Sequence, residues 1–349
     1  MQAVSENMES ARIAVMGAGL IGIRHVQHVR HEARLAAVID PWDGARKIAA
    51  DNGVPYYKSL ADMLATDRPD GVIVATPNQV HVENALECID AGIAALVEKP
   101  IADDVAGAQR IVNRADAAGV PLLVGHHRRH NPLIQEAKRI IDDGEIGKVH
   151  AAQATCWFYK PDDYFDVAWR REKGAGPVFL NLIHDVDLLR YLCGDVISVS
   201  AHQSNAYRGN AVEETAGILL LFESGAIGTV SVSDAVSSPW SWEMTAGENP
   251  AYPRTDESCY MIGGSKGSVS IPDLGVWQYK GNPSWWEPIS RTSVPLNIVD
   301  PLAAQIRHFS DVSLGRAQPL VSGREGLETL RVITAVKEAA ETGQTIKLR

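Results

Sequence analysis

The stretch "RIAVMGAGLIGIRHVQHV", residues 12–29, leaves a chain few ways to fold. An apolar, β-rich run ends in Gly17, Gly19 and Gly22, in G-x-G-x-x-G register, and a helical pattern follows at once. In that context each glycine has its own task. Gly17 permits a tight turn, Gly19 lets the backbone approach a pyrophosphate, and Gly22 lets helix and strand pack closely. The helix then opens at Leu20 and Ile21, where free N–H groups favour an anion. The motif predicts the strand–turn–helix of a dinucleotide-binding domain.

The next hundred residues extend that prediction. "LAAVI", "GVIVAT", "AALVE" and "PLLVG" follow the first strand as short apolar runs without alternation, which suits parallel strands buried on both faces. Helical patterns over 21–31, 43–52, 78–91 and 103–118 separate them. Repeated β-α units of this length predict an α/β fold, a Rossmann doubly wound parallel sheet, over residues 11–125.

Beyond residue 126 the texture changes. "VHAAQATCWF", "VISVSAHQ", "AGILLLFESGAIGTVSVS" and "CYMIGGSKGSVSI" alternate, or pair through the turn signals "ESGA" and "GSKG". Residues 126–349 therefore read as an α+β domain with a large, mostly antiparallel sheet. Helices are expected over 176–192 and near 324–341, the latter closing the chain. An exposed sheet face needs covering, so a homodimer or homotetramer is expected.

Composition narrows the function. A formal net charge of −10 argues against a nucleic-acid surface, which needs clustered Lys and Arg. Cys88, Cys156, Cys193 and Cys259 are far apart and read as buried reduced thiols rather than a zinc or disulfide framework. His126, His127 and His130 lack a local carboxylate, and no metal is expected. The opening "MQAVSENMESA" carries neither a basic nor an apolar targeting segment, and its first ten residues are expected to be frayed. Without a long apolar run, the expectation is a cytoplasmic protein with no membrane partner.

Individual residues then suggest chemistry. Asp40 ends the second strand, placed to accept hydrogen bonds from an adenosine ribose, and Pro41 and Trp42 follow it rather than Arg or Lys. A 2′-phosphate would meet that carboxylate, so NAD is favoured over NADP. Lys99, at the carboxyl end of a parallel strand, can polarise a carbonyl or hold a developing alkoxide. In "GPVFLNLIHDVDLLRYL" (176–192), Asn181, His184 and Asp187 fall three apart on one side of a helix with Tyr191 nearby. By itself that stripe fits a catalytic face, a metal site or a hydrogen-bonded core cluster. A histidine is suited to take a hydroxyl proton near neutral pH. Asn181 can contact a substrate but cannot accept the proton, while Asp187 is placed to meet substrate or orient the imidazole. Seven of the eight tryptophans lie beyond residue 150, and "WFYKPDDYFDVAWRR" (157–171) offers Tyr159, Lys160 and Tyr164 as substrate contacts.

With "ATPNQVH", "VEKP", "VGHHRRHNP" and "GAGPVFLNLIHDVDLLRYLCG" in that order, the chain resembles the Gfo/Idh/MocA family. That is the family of glucose–fructose oxidoreductase and inositol dehydrogenase. The resemblance implies that Thr76, Pro77, Asn78 and His81 border the cofactor. It implies that Glu98 and Lys99 end the fifth strand, with Lys99 beside the nicotinamide. His127 and Arg129 would open the second domain, Trp169 and Arg170 would reach cofactor or substrate, and His184 would match the catalytic histidine. One departure stands out. Many members carry an Asp four residues before that histidine, and here the position is Leu180. The expected activity is NAD-dependent hydride transfer at a secondary hydroxyl of a sugar, inositol or related polyol, with Lys99 and His184 as catalytic residues. NAD-retaining chemistry, such as eliminative glycoside cleavage or sugar–sugar exchange, and a non-enzymatic NAD sensor remain as alternatives.

Overall fold

The glycine loop sits at the centre of a parallel six-stranded sheet. The computed structural model describes residues 10–295 and 299–348, so the expected fraying of the first ten residues falls almost wholly outside the described part. Arg12–Met16 (β1), Arg34–Ile39 (β2), Tyr56–Tyr57 (β3), Gly71–Val74 (β4), Ala94–Val97 (β5) and Leu122–Val124 (β6) are ordered β3-β2-β1-β4-β5-β6. Ile13, Val15, Val38, Ile73 and Leu96 are buried in its core, as expected of strands covered on both faces. The chain reverses its winding between β1 and β4, and in such sheets ligands bind at the carboxyl ends beside that switch point. Gly17, Asp40, Ala75 and Glu98 each follow the last residue of one of these strands.

One helix in this unit was not expected there. Pro301–Ser313, with Pro301 in its first turn and Asp300 capping the Leu302 N–H at 2.9 Å, buries Ile306, Phe309 and Val312 in the core of the first sheet. The first compact unit therefore combines the chain up to His127 with Asp300–Leu330. The sequence reading had left residues 300–330 with the second domain.

The second unit is built on a nine-stranded sheet. Its strands are Val149–Trp157 (β7), Val196–Ser204 (β8), Thr215–Phe222 (β9), Ile227–Ser233 (β10), Tyr260–Gly264 (β11), Gly267–Ile271 (β12), Gly275–Tyr279 (β13), Ile289–Ser293 (β14) and Ile346–Lys347 (β15). Their order is β14-β13-β12-β11-β7-β10-β9-β8-β15, antiparallel except where β7 meets β10. The turns at "ESGA" and "GSKG" join β9 to β10 and β11 to β12, as expected. One face packs on helices Pro132–Asp142, Leu182–Cys193 and the carboxyl-terminal half of Gly323–Thr342. Along β9 burial alternates strictly, and the opposite face carries the exposed Leu219, Leu221, Ile227, Met261 and Trp277. The chain closes on β15 rather than on the long helix. All four cysteines are buried and unpaired.

The expected helix over 176–192 is interrupted. Pro177–Leu180 and Leu182–Cys193 are separate helices that meet at Asn181, whose ψ of −56° accompanies a φ of −105°. Among the described residues, no helix is long and apolar enough to cross a membrane, and no cluster of His, Cys, Asp or Glu could hold a metal ion.

Candidate active site

The cradle for a dinucleotide follows from three glycines with different surroundings. Gly17 has a φ of +98°, and a Cβ there would come within 2.5 Å of the Ala75 carbonyl oxygen. A Cβ on Gly22 would lie 1.9 Å from the Gly17 carbonyl oxygen, so helix and loop could not approach as they do. At Gly19 no atom stands within 4 Å, leaving its face open. Gly19 caps helix Leu20–Glu32, so the open face leads to unshared N–H groups, and Leu20 beside it is almost fully exposed. A groove of ≈ 670 Å³ runs from these glycines past Asp40, Thr76 and Pro77. The residues present fit a dinucleotide.

Asp40 does more than the sequence suggested. Its carboxylate accepts the Ala18 N–H at 2.7 Å and the Trp42 N–H at 2.8 Å, tying the glycine loop to the end of β2. Trp42, Lys58, Ser59 and Asn84 line the same groove and were missed. Lys58 follows the two-residue strand β3, so nothing near Asp40 in the sequence announces it. Asn84 is reached through Thr76, whose hydroxyl donates to its Oδ1 at 2.9 Å.

Glu98 and Lys99 leave β5 side by side. The buried His25 ring lies 2.6 Å from Glu98 Oε1, and Glu98 Oε2 accepts the Lys99 N–H at 3.2 Å. Burial pushes the Glu98 carboxyl up, but the His25 hydrogen bond and the charges of His25, His127 and Lys99 prevail and hold it at about 2. His81, also buried, sets its two ring nitrogens 2.9 Å from the Thr76 and Pro100 carbonyl oxygens. It therefore fastens the β4 loop to the residue after Lys99. Asn78 opens a short 3₁₀ turn just before it.

In the second unit, His184 stands in the first turn of Leu182–Cys193 and is buried, while Leu180 and Asn181 are half-buried. The Asn181 side-chain oxygen is shielded from solvent and has no hydrogen-bond partner among the described residues. Behind His184 lies a cluster the sequence did not reveal. Asp185 takes a hydrogen bond from Tyr260, with Arg128 3.7 Å away, and Arg128 donates to Glu243 at 2.6 Å. Burial drives the Asp185 carboxyl up, Arg128 opposes it and Glu243 adds to it, leaving it at about 6.

Two residues expected on the substrate also face each other. Arg129 donates through Nε and Nη2 to the two oxygens of Asp187, at 2.8 and 2.7 Å, with side chains only 2% and 1% exposed. The guanidinium also lies 4.9 Å from the Tyr191 ring centroid. The pair is a buried, bidentate brace between the start of the second unit and the His184 helix.

The segment 157–171 supplies a different set. Tyr159 is exposed, whereas Lys160 is buried 3.2 Å from Asp234 Oδ2. Arg170 stacks 4.1 Å over the Tyr164 ring, and Trp169 is half exposed. Asp234 and its second partner Arg208 were also missed. The available signal was a charged residue at the end of the run "TVSVS".

Comparison with known proteins agrees with this geometry. Residues 11–126 match the model of an oxidoreductase family with an NAD-binding Rossmann fold, and residues 134–270 match the GFO/IDH/MocA C-terminal domain. The chain belongs to the GFO/IDH/MocA oxidoreductase family. It is 30% identical to 4-carboxy-2-hydroxymuconate-6-semialdehyde dehydrogenase of Sphingobium over 64% of this chain and 71% of that protein. It is 31% identical to inositol 2-dehydrogenase of Mycolicibacterium gilvum over 80% of this chain and 76% of that one. The WlbA dehydrogenase of Bordetella pertussis, solved with NADH and UDP-GlcNAcA, superposes with a TM-score of 0.77 at 27% identity. That match covers 98% of this chain and 99% of the other. This GFO/IDH/MocA protein is thus an oxidoreductase with an NAD-binding domain, as its glycine loop predicted.

Proposed function

We propose that this protein transfers hydride between a secondary hydroxyl of a sugar, inositol or related polyol and NAD. The open Gly19 face, within a loop where Gly17 and Gly22 admit no side chain, carries the proposal. The substrate class is supported by the relative that is an inositol 2-dehydrogenase and by the WlbA structure holding a nucleotide sugar.

NAD held in the glycine-loop cradle would supply the acceptor for the hydride of the carbinol carbon. The other tasks fall to side chains. His184 takes the hydroxyl proton as the carbonyl forms, a role for which imidazole is suited near neutral pH. Lys99 holds the developing negative charge on oxygen with its ammonium group. Its place is fixed by Glu98 through the backbone and by His81 at the next carbonyl. Asn181 offers its amide to a neighbouring hydroxyl. The cradle residues Leu20, Ile21, Asp40, Thr76, Pro77 and Asn78 would hold the cofactor, and the family resemblance assigns His127, Trp169 and Arg170 to cofactor or substrate. Leu180 leaves no carboxylate in that turn, so proton removal rests on His184.

The exposed face of the nine-stranded sheet supports a homo-oligomer in which a second copy covers Leu219, Leu221, Ile227 and Met261. Four unpaired cysteines fit the reducing cytoplasm. Absorbance at 340 nm with NAD⁺ and a panel of cyclic polyols, aldoses and sugar acids tests the reading. A rising signal supports it. Tight NADH binding with no signal on any member overturns it in favour of cofactor-retaining chemistry or a sensor.

A further inference from the structure

Three cationic side chains converge on the aromatic pair Tyr164 and Phe165, whose rings meet edge to face at 5.1 Å. Lys160 and Arg170 lie 5.1 and 4.1 Å from the Tyr164 centroid, and Arg208 lies 4.5 Å from that of Phe165. The Lys160 and Arg208 side chains are each only 8% exposed.

Their partners do not use up their donors. Asp234 serves two of them: Arg208 donates to Oδ1 at 2.7 Å, and the Lys160 ammonium stands 3.2 Å from Oδ2 in a direction that makes no hydrogen bond. Arg208 also donates to the carbonyls of Lys160 and Asp234, at 3.0 and 2.8 Å. Arg170 donates to the Tyr164 carbonyl at 2.8 Å. Glu214 spends its carboxylate on the N–H groups of Tyr207 and Arg208, and Glu213 accepts the Val178 N–H at 3.2 Å. Asp162, Asp163 and Asp166 of the same segment face solvent. Among the described residues, the buried Arg170 Nε and Arg208 Nε atoms find no hydrogen-bond acceptor, and the buried Lys160 Nζ makes no hydrogen bond beyond its ion pair with Asp234.

Buried cationic donors without acceptors are costly, and native proteins keep them where something else supplies the acceptor. Ammonium and guanidinium groups together match the oxygens of a carboxylate or a phosphate. The cluster also adjoins the reacting helix. The Asp234 N–H donates to the Glu214 carbonyl at 3.0 Å, and the neighbouring Glu213 holds the turn that opens Pro177–Leu180, ahead of Asn181 and His184.

We propose that Lys160, with Arg170 and Arg208, binds an anionic group on the substrate, which makes the substrate an acidic or phosphorylated sugar rather than a neutral one. Its place in the reaction rests on the dehydrogenase reading, but its test does not require turnover. Calorimetry on the full chain loaded with NADH compares D-gluconate, D-sorbitol 6-phosphate and D-sorbitol, which share a six-carbon skeleton. At least one anion binds tenfold or more tightly than sorbitol; gluconate alone identifies a carboxylate site, and the phosphate ester alone a phosphate site. Lys160→Met removes that advantage while Lys160→Arg keeps part of it, each checked for an unchanged Tm and NADH affinity. Sorbitol binding as tightly as both anions, no binding of either anion, or an advantage that survives in Lys160→Met overturns the proposal. If Lys160→Met does not fold, the wild-type comparison and Lys160→Arg decide. An anion that binds but never reduces NAD⁺ counts against the dehydrogenase reading alone.

Discussion

Glu98 is held ionised by a histidine from another element: the His25 ring, on the helix that follows the glycine loop, hydrogen-bonds its carboxylate at 2.6 Å. The same carboxylate accepts the Lys99 N–H, so one buried pair links the cofactor helix to the lysine assigned to the reacting oxygen.

This pair has a definite pH signature. Lowering the Glu98 carboxyl from 4.5 to about 2 corresponds to about 3 kcal/mol of stability. That contribution is fully present above pH 4.5 and is lost as the pH falls toward 2. His25→Leu removes the hydrogen-bond donor, so the acid limb of unfolding moves to higher pH. Urea titrations between pH 3 and 7 check this, and an unmoved acid limb rules it out.

His81 gives a second prediction. His81→Ala leaves the buried Pro100 carbonyl and the partly buried Thr76 carbonyl facing a cavity. The expected cost is about 2 kcal/mol or more. Because the Thr76 loop lines the cofactor groove, the KM for NAD rises more than kcat falls. Steady-state kinetics and urea midpoints measured together report both effects.

The Arg129–Asp187 brace predicts a strong asymmetry between single and double substitutions. Arg129→Met or Asp187→Leu alone breaks a buried bidentate ion pair and costs about 3–5 kcal/mol. The double variant recovers most of that loss. A double-mutant cycle on unfolding free energy measures the coupling, and additive losses contradict the brace.

The cysteines should be silent. Burial pushes the thiols of Cys88 and Cys193 up to about 12 and also raises those of Cys156 and Cys259. A thiol reagent at pH 8 therefore labels none of the four in the native protein and all four in denaturant. Rapid native labelling of any one of them contradicts the packing around it.

The first sheet was legible because strands buried on both faces leave continuous apolar runs, and because the glycine register needs no partner to be read. The two-residue strand β3 left too short a run to see. Helix Pro301–Ser313 was not read from the sequence, and an apolar face would say only that such a segment packs, not that it returns to a sheet whose last strand ends at Val124. The break at Asn181 escaped for a related reason: neither Gly nor Pro marks it, and the apolar period runs through it. Asp187 was correctly put on the His184 helix, but its partner Arg129 lies 58 residues away and no local pattern names it. In the same way, the sequence singled out Lys160 but not Asp234, which pairs with it, or Arg208, which shares that carboxylate.

The central claim is that His184 and Lys99 perform the hydride-transfer chemistry on a separately built cofactor cradle. It is tested most directly by measuring turnover and NADH affinity together in the wild type, His184→Ala and Lys99→Met. The account predicts that kcat falls by about 10²-fold or more in each variant, the scale of a lost acid–base or electrostatic contribution, while the Kd for NADH changes by less than about threefold. Turnover and NADH affinity falling by the same factor, or turnover persisting in His184→Ala, would contradict it.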